Sequence, residues 1–262
     1  MTGIRPTRRE LLIASAASLL PRPAWAFGGS RVDIAELDLP GTLSRPDAWD
    51  RLLQEVEQTT SVEIDATTAR VKPDSPDLFR HPFVTLLGAE GFDLPDYVAL
   101  EQLSRFLQYG GFLLIDDTSG GDSSAFDDSV RRLCAVLFPT NALAPLASDH
   151  SLYRSFFMLD RPYGRVDRQR WLEGVTLDGV EGKGGWTPLV YCRNDLSGAL
   201  DRAPSGRERN ACTPGGDTQR REAVKLGINL VLYCITTDYK KDQAHVKKLI
   251  EQHRLDGDWD EP

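Results

Sequence analysis

Apolar positions along this chain recur in two rhythms: short runs that suit strands, and stripes at helical spacing between them. Residues 31–41, "RVDIAELDLPG", alternate Val32, Ile34 and Leu37 with charges and predict an early strand. Over 45–60, Trp49, Leu52, Leu53 and Val56 predict a helix, with Asp47 as its expected cap. Residues 62–71 predict a strand or short extended segment, and 81–91 a compact apolar strand ending in glycine. Over 94–111 the stripe Tyr97, Leu100, Leu103, Phe106 and Leu107 predicts a helix ended by Gly110. A strand at 112–115 follows, then a helix through Phe126, Val130, Leu133, Cys134 and Leu137, with Asp122, Ser123 and Ser124 as capping residues.

The second half is less regular. Residues 141–159 predict a short extended piece, a loop around Asp149 and His150, and an aromatic run. Residues 171–179 and 186–196 predict two more strands, separated from a final helical region by a Gly/Arg/Pro-rich loop at 197–216. Residues 217–237 predict a helix with Ala223, Leu226, Leu230, Tyr233 and Cys234 inward, and 239–253 a separate charged helix. Strands alternating with helices predict an α/β fold: one mainly parallel sheet covered on both faces, in a single domain over 27–255.

Composition adds a compartment. With 40% hydrophobic and 27% charged residues the chain is of ordinary globular type. Net charge is −8, and residues 1–26 contribute +3 (Arg5, Arg8, Arg9 and Arg22 against Glu10), which leaves −11 for the remainder. So acidic a body argues against nucleic acid as a partner. Residues 1–26 read as a leader: positive residues, an apolar run at 11–20 too short to span a bilayer, and Ala24-Trp25-Ala26 as a cleavage pattern. Arg8-Arg9 suits the twin-arginine route, with a general secretory leader as the alternative. The expectation is a periplasmic or secreted protein with no membrane span after leader removal and an acidic tail at 256–262.

Candidate chemistry gathers at the ends of the predicted strands. Glu90 follows the 81–91 strand, Asp116 and Asp117 the 112–115 strand, and Asn194 and Asp195 the 186–196 strand, while His150 comes from a loop. In a parallel sheet these ends share one edge, where ligands bind. Alternation along a strand lets one of Asp116 and Asp117 face a pocket while the other caps a turn, so ligand contact and structural capping are both open for each. No Gly-x-Ser-x-Gly elbow occurs, and "GGDSS" lacks the lysine of a phosphate loop, so no cofactor is expected. Histidines are too sparse for a metal site. In an oxidising compartment Cys192 and Cys212, which flank the polar loop, could form a disulfide.

The pieces "LFRHPFVTLLGAEGFDLPDYVALEQLSRFLQYGGFLLIDD", "HSLYRSF", "LEGV", "LVYCRNDLSGAL" and "AVKLGINLVLYCIT" occur in order over about 30–237 and resemble domain of unknown function family 4159. The resemblance implies a flavodoxin-like sheet similar to that of class I glutamine amidotransferases, often in exported or membrane-associated bacterial proteins. It supplies a fold rather than an activity. It also implies that Asp116-Asp117 stands where amidotransferase-like sheets carry the nucleophile elbow, and that Gly88-Ala89-Glu90-Gly91 lacks a histidine which related domains have. Glutamine hydrolysis needs a thiolate, and a carboxylate is a poor acyl acceptor. The expected function is therefore a non-catalytic domain that binds a polar ligand or a partner protein at the strand-end edge. The alternative is a periplasmic hydrolase, with glycans as one candidate substrate class, using strand-end carboxylates.

Overall fold

The computed structural model describes residues 32–64, 67–178 and 185–255, with 237–255 given by their backbone alone. Residues 1–26, where a leader is expected, and the expected acidic tail at 256–262 lie outside the described residues. Strands β1 (Ile34–Leu37), β2 (Ala69–Val71), β3 (Phe83–Gly88), β4 (Phe112–Asp117), β5 (Ala144–Pro145), β6 (Glu173–Leu177) and β7 (Trp186–Cys192) form one sheet in the order β2-β1-β3-β4-β7-β6-β5. The five strands from β2 to β7 run parallel, and β6 and β5 add an antiparallel margin. The helices are α1 (Pro46–Thr59), α2 (Tyr97–Gln108), α3 (Ser124–Leu137), α4 (Leu196–Leu200) and α5 (Gly216–Leu255).

Both faces of the sheet are covered, which is why its central strands are apolar throughout. Phe112 and Leu114 of β4, with Val190 and Cys192 of β7, pack against Trp49, Leu52 and Leu53 of α1 and Leu226 and Leu230 of α5. Leu113 and Ile115, with Leu189 and Tyr191, pack against Leu103 and Phe106 of α2 and Phe126 and Val130 of α3. The period-two alternation thus fixes which helices each strand-end side chain meets. The packing leaves no slack. A Cβ on Gly88 would stand 2.2 Å from Cε2 of the buried Phe126 ring. Gly88→Ala is expected to cost about 1–3 kcal/mol in equilibrium unfolding as the ring is displaced; an unchanged midpoint would show that α3 yields freely there.

Several local expectations need revision. Asp47 does not cap α1: the N-cap residue is Arg45, without a side-chain cap bond, and Asp47 pairs with Arg209. Pro46 at the first helical position, with its φ already fixed near the helical value, starts the helix without one. Tyr97 is not on the buried stripe of α2 but 77% exposed, since it sits directly after the Asp96 cap and overhangs the core. The extended stretch at 62–71 shrinks to an isolated bridge at Ile64 and the three residues of β2. The two C-terminal helices are one, because Thr236, Thr237 and Asp238 contain no breaker. Ser123 does cap α3, accepting from the Phe126 amide at 3.2 Å.

Candidate functional site

β4 runs two residues further than the 112–115 pattern predicts, so both aspartates belong to the strand and both are buried. Register pairs Asp116 with Leu87 and Cys192, and Asp117 with Gly88. Because β4 and β7 are parallel neighbours, the segment after Cys192 passes directly over the end of β4.

Asp116 points to the α1/α4/α5 side. Its Oδ1 accepts from the Leu196 amide at 2.8 Å and its Oδ2 from the Ser197 amide at 2.7 Å, so it holds the start of α4. Burial raises its pKa to about 6, nearby Asp195 adds to the rise, and the hydrogen bonds from Ser197 and Leu196 oppose it. Asp195 adopts a left-handed backbone (φ 53), one that aspartate tolerates better than most residues. Its carboxylate is fully buried and accepts from the Gly198 amide at 2.9 Å, from Arg45 Nη1 at 2.5 Å and from Arg165 Nε. Arg45 Nη1 also reaches Ser197 Oγ at 2.9 Å. Asn194 Oδ1 accepts from the amides of Arg168 (3.1 Å) and Gln169 (2.8 Å), and its Nδ2 donates to the carbonyls of Gln169 and Pro162. The loop lies so close that a Cβ on Gly164 would sit 2.1 Å from the Asn194 carbonyl oxygen.

Asp116, Asn194 and Asp195 are thus brought together, as a joint in which every carboxylate or amide oxygen is taken by a donor of the chain itself. Its other members, Arg45 and Arg165, carry no sequence signal: Arg45 reads as one more residue before a helix, and Arg165 as one charge in a polar run. Nor was Glu36 legible. It is buried at the end of β1, where it accepts from Ser44 Oγ, the Arg45 amide (2.6 Å) and Trp49 Nε1 (3.1 Å).

The remaining candidates lie elsewhere. Asp117 faces the α2/α3 side, where its Oδ1 accepts from the Ser119 amide (2.9 Å) and hydroxyl (2.5 Å), and burial raises its pKa. His150 does not join the edge. Its Nε2 meets Thr187 Oγ1 at 3.1 Å near the start of β7, the opposite end from Cys192, while Nδ1 accepts from the Leu152 amide at 3.2 Å. That pattern leaves the proton on Nε2, and burial lowers the imidazole pKa. Glu90 is exposed on the loop after β3. Cys192 and Cys212 are not bridged in the structure: both thiols are free and buried. Burial, reinforced by Asp116, pushes the Cys192 thiol well above its ordinary value, so it stays protonated and unreactive.

One open concavity occupies the same edge. It is a cleft of about 400 Å³ between the loops after β1 (Pro40, Gly41) and β3 (Gly91, Phe92, Asp93) and the face of α3 bearing Ala125, Asp128, Ser129 and Arg132. Gly91 allows the close approach, since a Cβ there would stand 3.3 Å from Ala125 Cβ, and Ser129 Oγ accepts the Phe92 amide at 3.1 Å. The sheet order places β1 and β3 side by side while their connections depart to opposite sides, the point where open α/β sheets bind ligands.

Fold and site together define an α/β protein of flavodoxin-like strand order, with Asp116 and Asp195 tied to its own backbone and arginines. The chain belongs to the family described as Domain of unknown function (DUF4159), whose model matches residues 35–235, from β1 into α5. No curated protein matches the chain.

Proposed function

We propose that this protein is an exported, non-catalytic binding domain that takes a polar ligand or a partner protein at the carboxyl edge of its sheet, with the cleft between the β1 and β3 loops as the recognition site. The observation that carries this reading is the contrast along one edge: Asp116, Asn194 and Asp195 are consumed internally, whereas Asp93, Asp128 and Arg132 border the cleft without an ion-pair partner among the described residues. Carboxylates with an arginine suit a ligand that bears ammonium or hydroxyl groups together with an anion. The hydrolase alternative has less support. The neighbouring acids Asp116 and Asp195 are each 0% exposed, so no substrate oxygen reaches them without opening the joint. Support for export is the leader pattern of residues 1–26, and among the described residues no helix is long and apolar enough to cross a membrane.

The test is amide-shift mapping with D-glucosamine, D-glucuronate and L-lysine at millimolar concentration. Shifts centred on Gly91, Asp93 and Ala125, lost in an Asp128→Ala/Arg132→Ala variant with an unchanged unfolding midpoint, are the expected result. The reading fails if all three probes leave those amides unmoved, or if purified protein hydrolyses chromogenic glycosides and loses that turnover on Asp117→Asn.

A further inference from the structure

On the α2/α3 side of the edge, four buried polar atoms make no hydrogen bond of ordinary length within the chain, Asp117 Oδ2, Tyr191 OH, Asp127 Oδ1 and Arg193 Nε, although the Gly121 amide lies near enough to the Asp117 carboxyl to favour its charge. They belong to one neighbourhood. Tyr191 lies on the same face of the sheet as Asp117, and its ring packs 6.3 Å from that of Phe126, the residue beside Asp127 on α3. Arg193 Cζ stands 5.9 Å from the Tyr191 ring centroid, and Arg193 Nη1 is 3.6 Å from Asp127 Oδ1. Burial and the charges of Asp117 and Asp127 push the Tyr191 hydroxyl well above its ordinary pKa, so it remains a donor. Buried groups of this kind are rarely left unpaired in folded proteins, because each forfeits its bonds to solvent.

The four atoms form a selective set. Two are carboxylate oxygens, which only accept; one is a guanidinium N–H, which only donates; the hydroxyl does either. A bare cation would satisfy the oxygens but could not accept from Arg193. An anion would meet two carboxylates. Water matches, with two hydrogens for the carboxylates and two lone pairs for the donors, and buried waters typically make about 3 bonds to such groups. Among the described residues, no three His, Cys, Asp or Glu side chains are grouped to hold a metal ion.

We propose that Asp117, Tyr191, Asp127 and Arg193 form a binding site for ordered internal water, which donates to the two carboxylates and accepts from the tyrosine hydroxyl and the arginine Nε–H. Water then links Asp117 of β4 and Tyr191 of β7 to the Asp127–Arg193 ion pair at α3. Asp127 and Arg193 keep side-chain exposures of 17% and 22%, so the site communicates with solvent along that rim and its water exchanges. None of its four residues lines the cleft.

The decisive measurement is a high-resolution crystal structure of the protein grown in rubidium chloride. Expected is full-occupancy water density within hydrogen-bond distance of both Asp117 Oδ2 and Tyr191 OH, without anomalous rubidium signal. Tyr191→Phe crystals should retain density beside Asp117 at lower occupancy. An anomalous peak at the site would overturn the assignment in favour of a cation. A Tyr191 hydroxyl bonded straight to Asp117, with no density between, would overturn it in favour of a dry cluster.

Discussion

Replacing Asp195 with alanine is expected to lower the stability of the fold by about 3–5 kcal/mol, because it strands partly buried charge. Arg45 and Arg165 lose their shared carboxylate, and the Gly198 amide loses its acceptor. The backbone adds to this: at φ 53 an alanine costs roughly 1–2 kcal/mol relative to a right-handed conformation. Against these, the arginines keep side-chain exposures of 21% and 29%, so water recovers part of their solvation and the contributions do not simply sum. Asp195→Gly removes the same charge without the backbone strain and should be milder by about 1 kcal/mol. Urea unfolding at neutral pH reads both. A loss below about 1 kcal/mol for the alanine variant, or no difference between alanine and glycine, would show that Asp195 is not the clamp described.

The fold was legible where burial is two-sided or periodic. The 81–91 and 112–115 runs read as strands, and as β3 and β4 they lie in the middle of the sheet, where both faces are covered. The stripe of α5 was equally plain, and Ala223, Leu226, Leu230, Tyr233 and Cys234 are all buried. Boundaries were poorly legible. The polar Asp116 and Asp117 look like the end of a strand, yet the ladder continues through them because their oxygens find donors in the crossing segment and in the Ser119 turn. The direction of β6 was not legible either, because pairing partners depend on topology rather than on pattern.

The candidate site was half legible. Recurrence of polar residues at strand ends correctly placed Asp116, Asn194 and Asp195 on one rim, since β4 and β7 are parallel. His150 was misplaced because a loop residue carries no information about which end of the sheet it visits. The sequence also could not say whether the rim faces outward to a ligand or inward to the chain. That depends on long-range donors such as Arg45, 150 positions from Asp195, which no local pattern announces.

The buried carboxyl of Asp116 makes the second large prediction one of pH. Its pKa rises from 3.8 to about 6 in the folded chain, chiefly through burial and then through the charge of Asp195. The folded state therefore holds this proton more tightly than the unfolded state, and below about pH 4 the group contributes no penalty. As pH rises through the folded value, the unfolded chain has already released its proton and the folded chain must ionise a buried group. Stability should fall across that window by on the order of 2–3 kcal/mol, at about 1.4 kcal/mol per pKa unit. This is opposite in sign to an ordinary salt-bridged carboxylate, so it shows best as a difference between wild type and Asp116→Asn, in which other carboxylates cancel. At pH 4 both side chains are neutral, and between pH 4 and pH 7 the wild-type curve should fall relative to that of the variant. In an Asp195→Asn background the descent should end at lower pH and be smaller, since one cause of the raised folded value is gone while the unfolded value is unchanged. Curves that stay parallel from pH 4 to pH 7 would mean that Asp116 is ionised throughout and that its two backbone donors outweigh its burial.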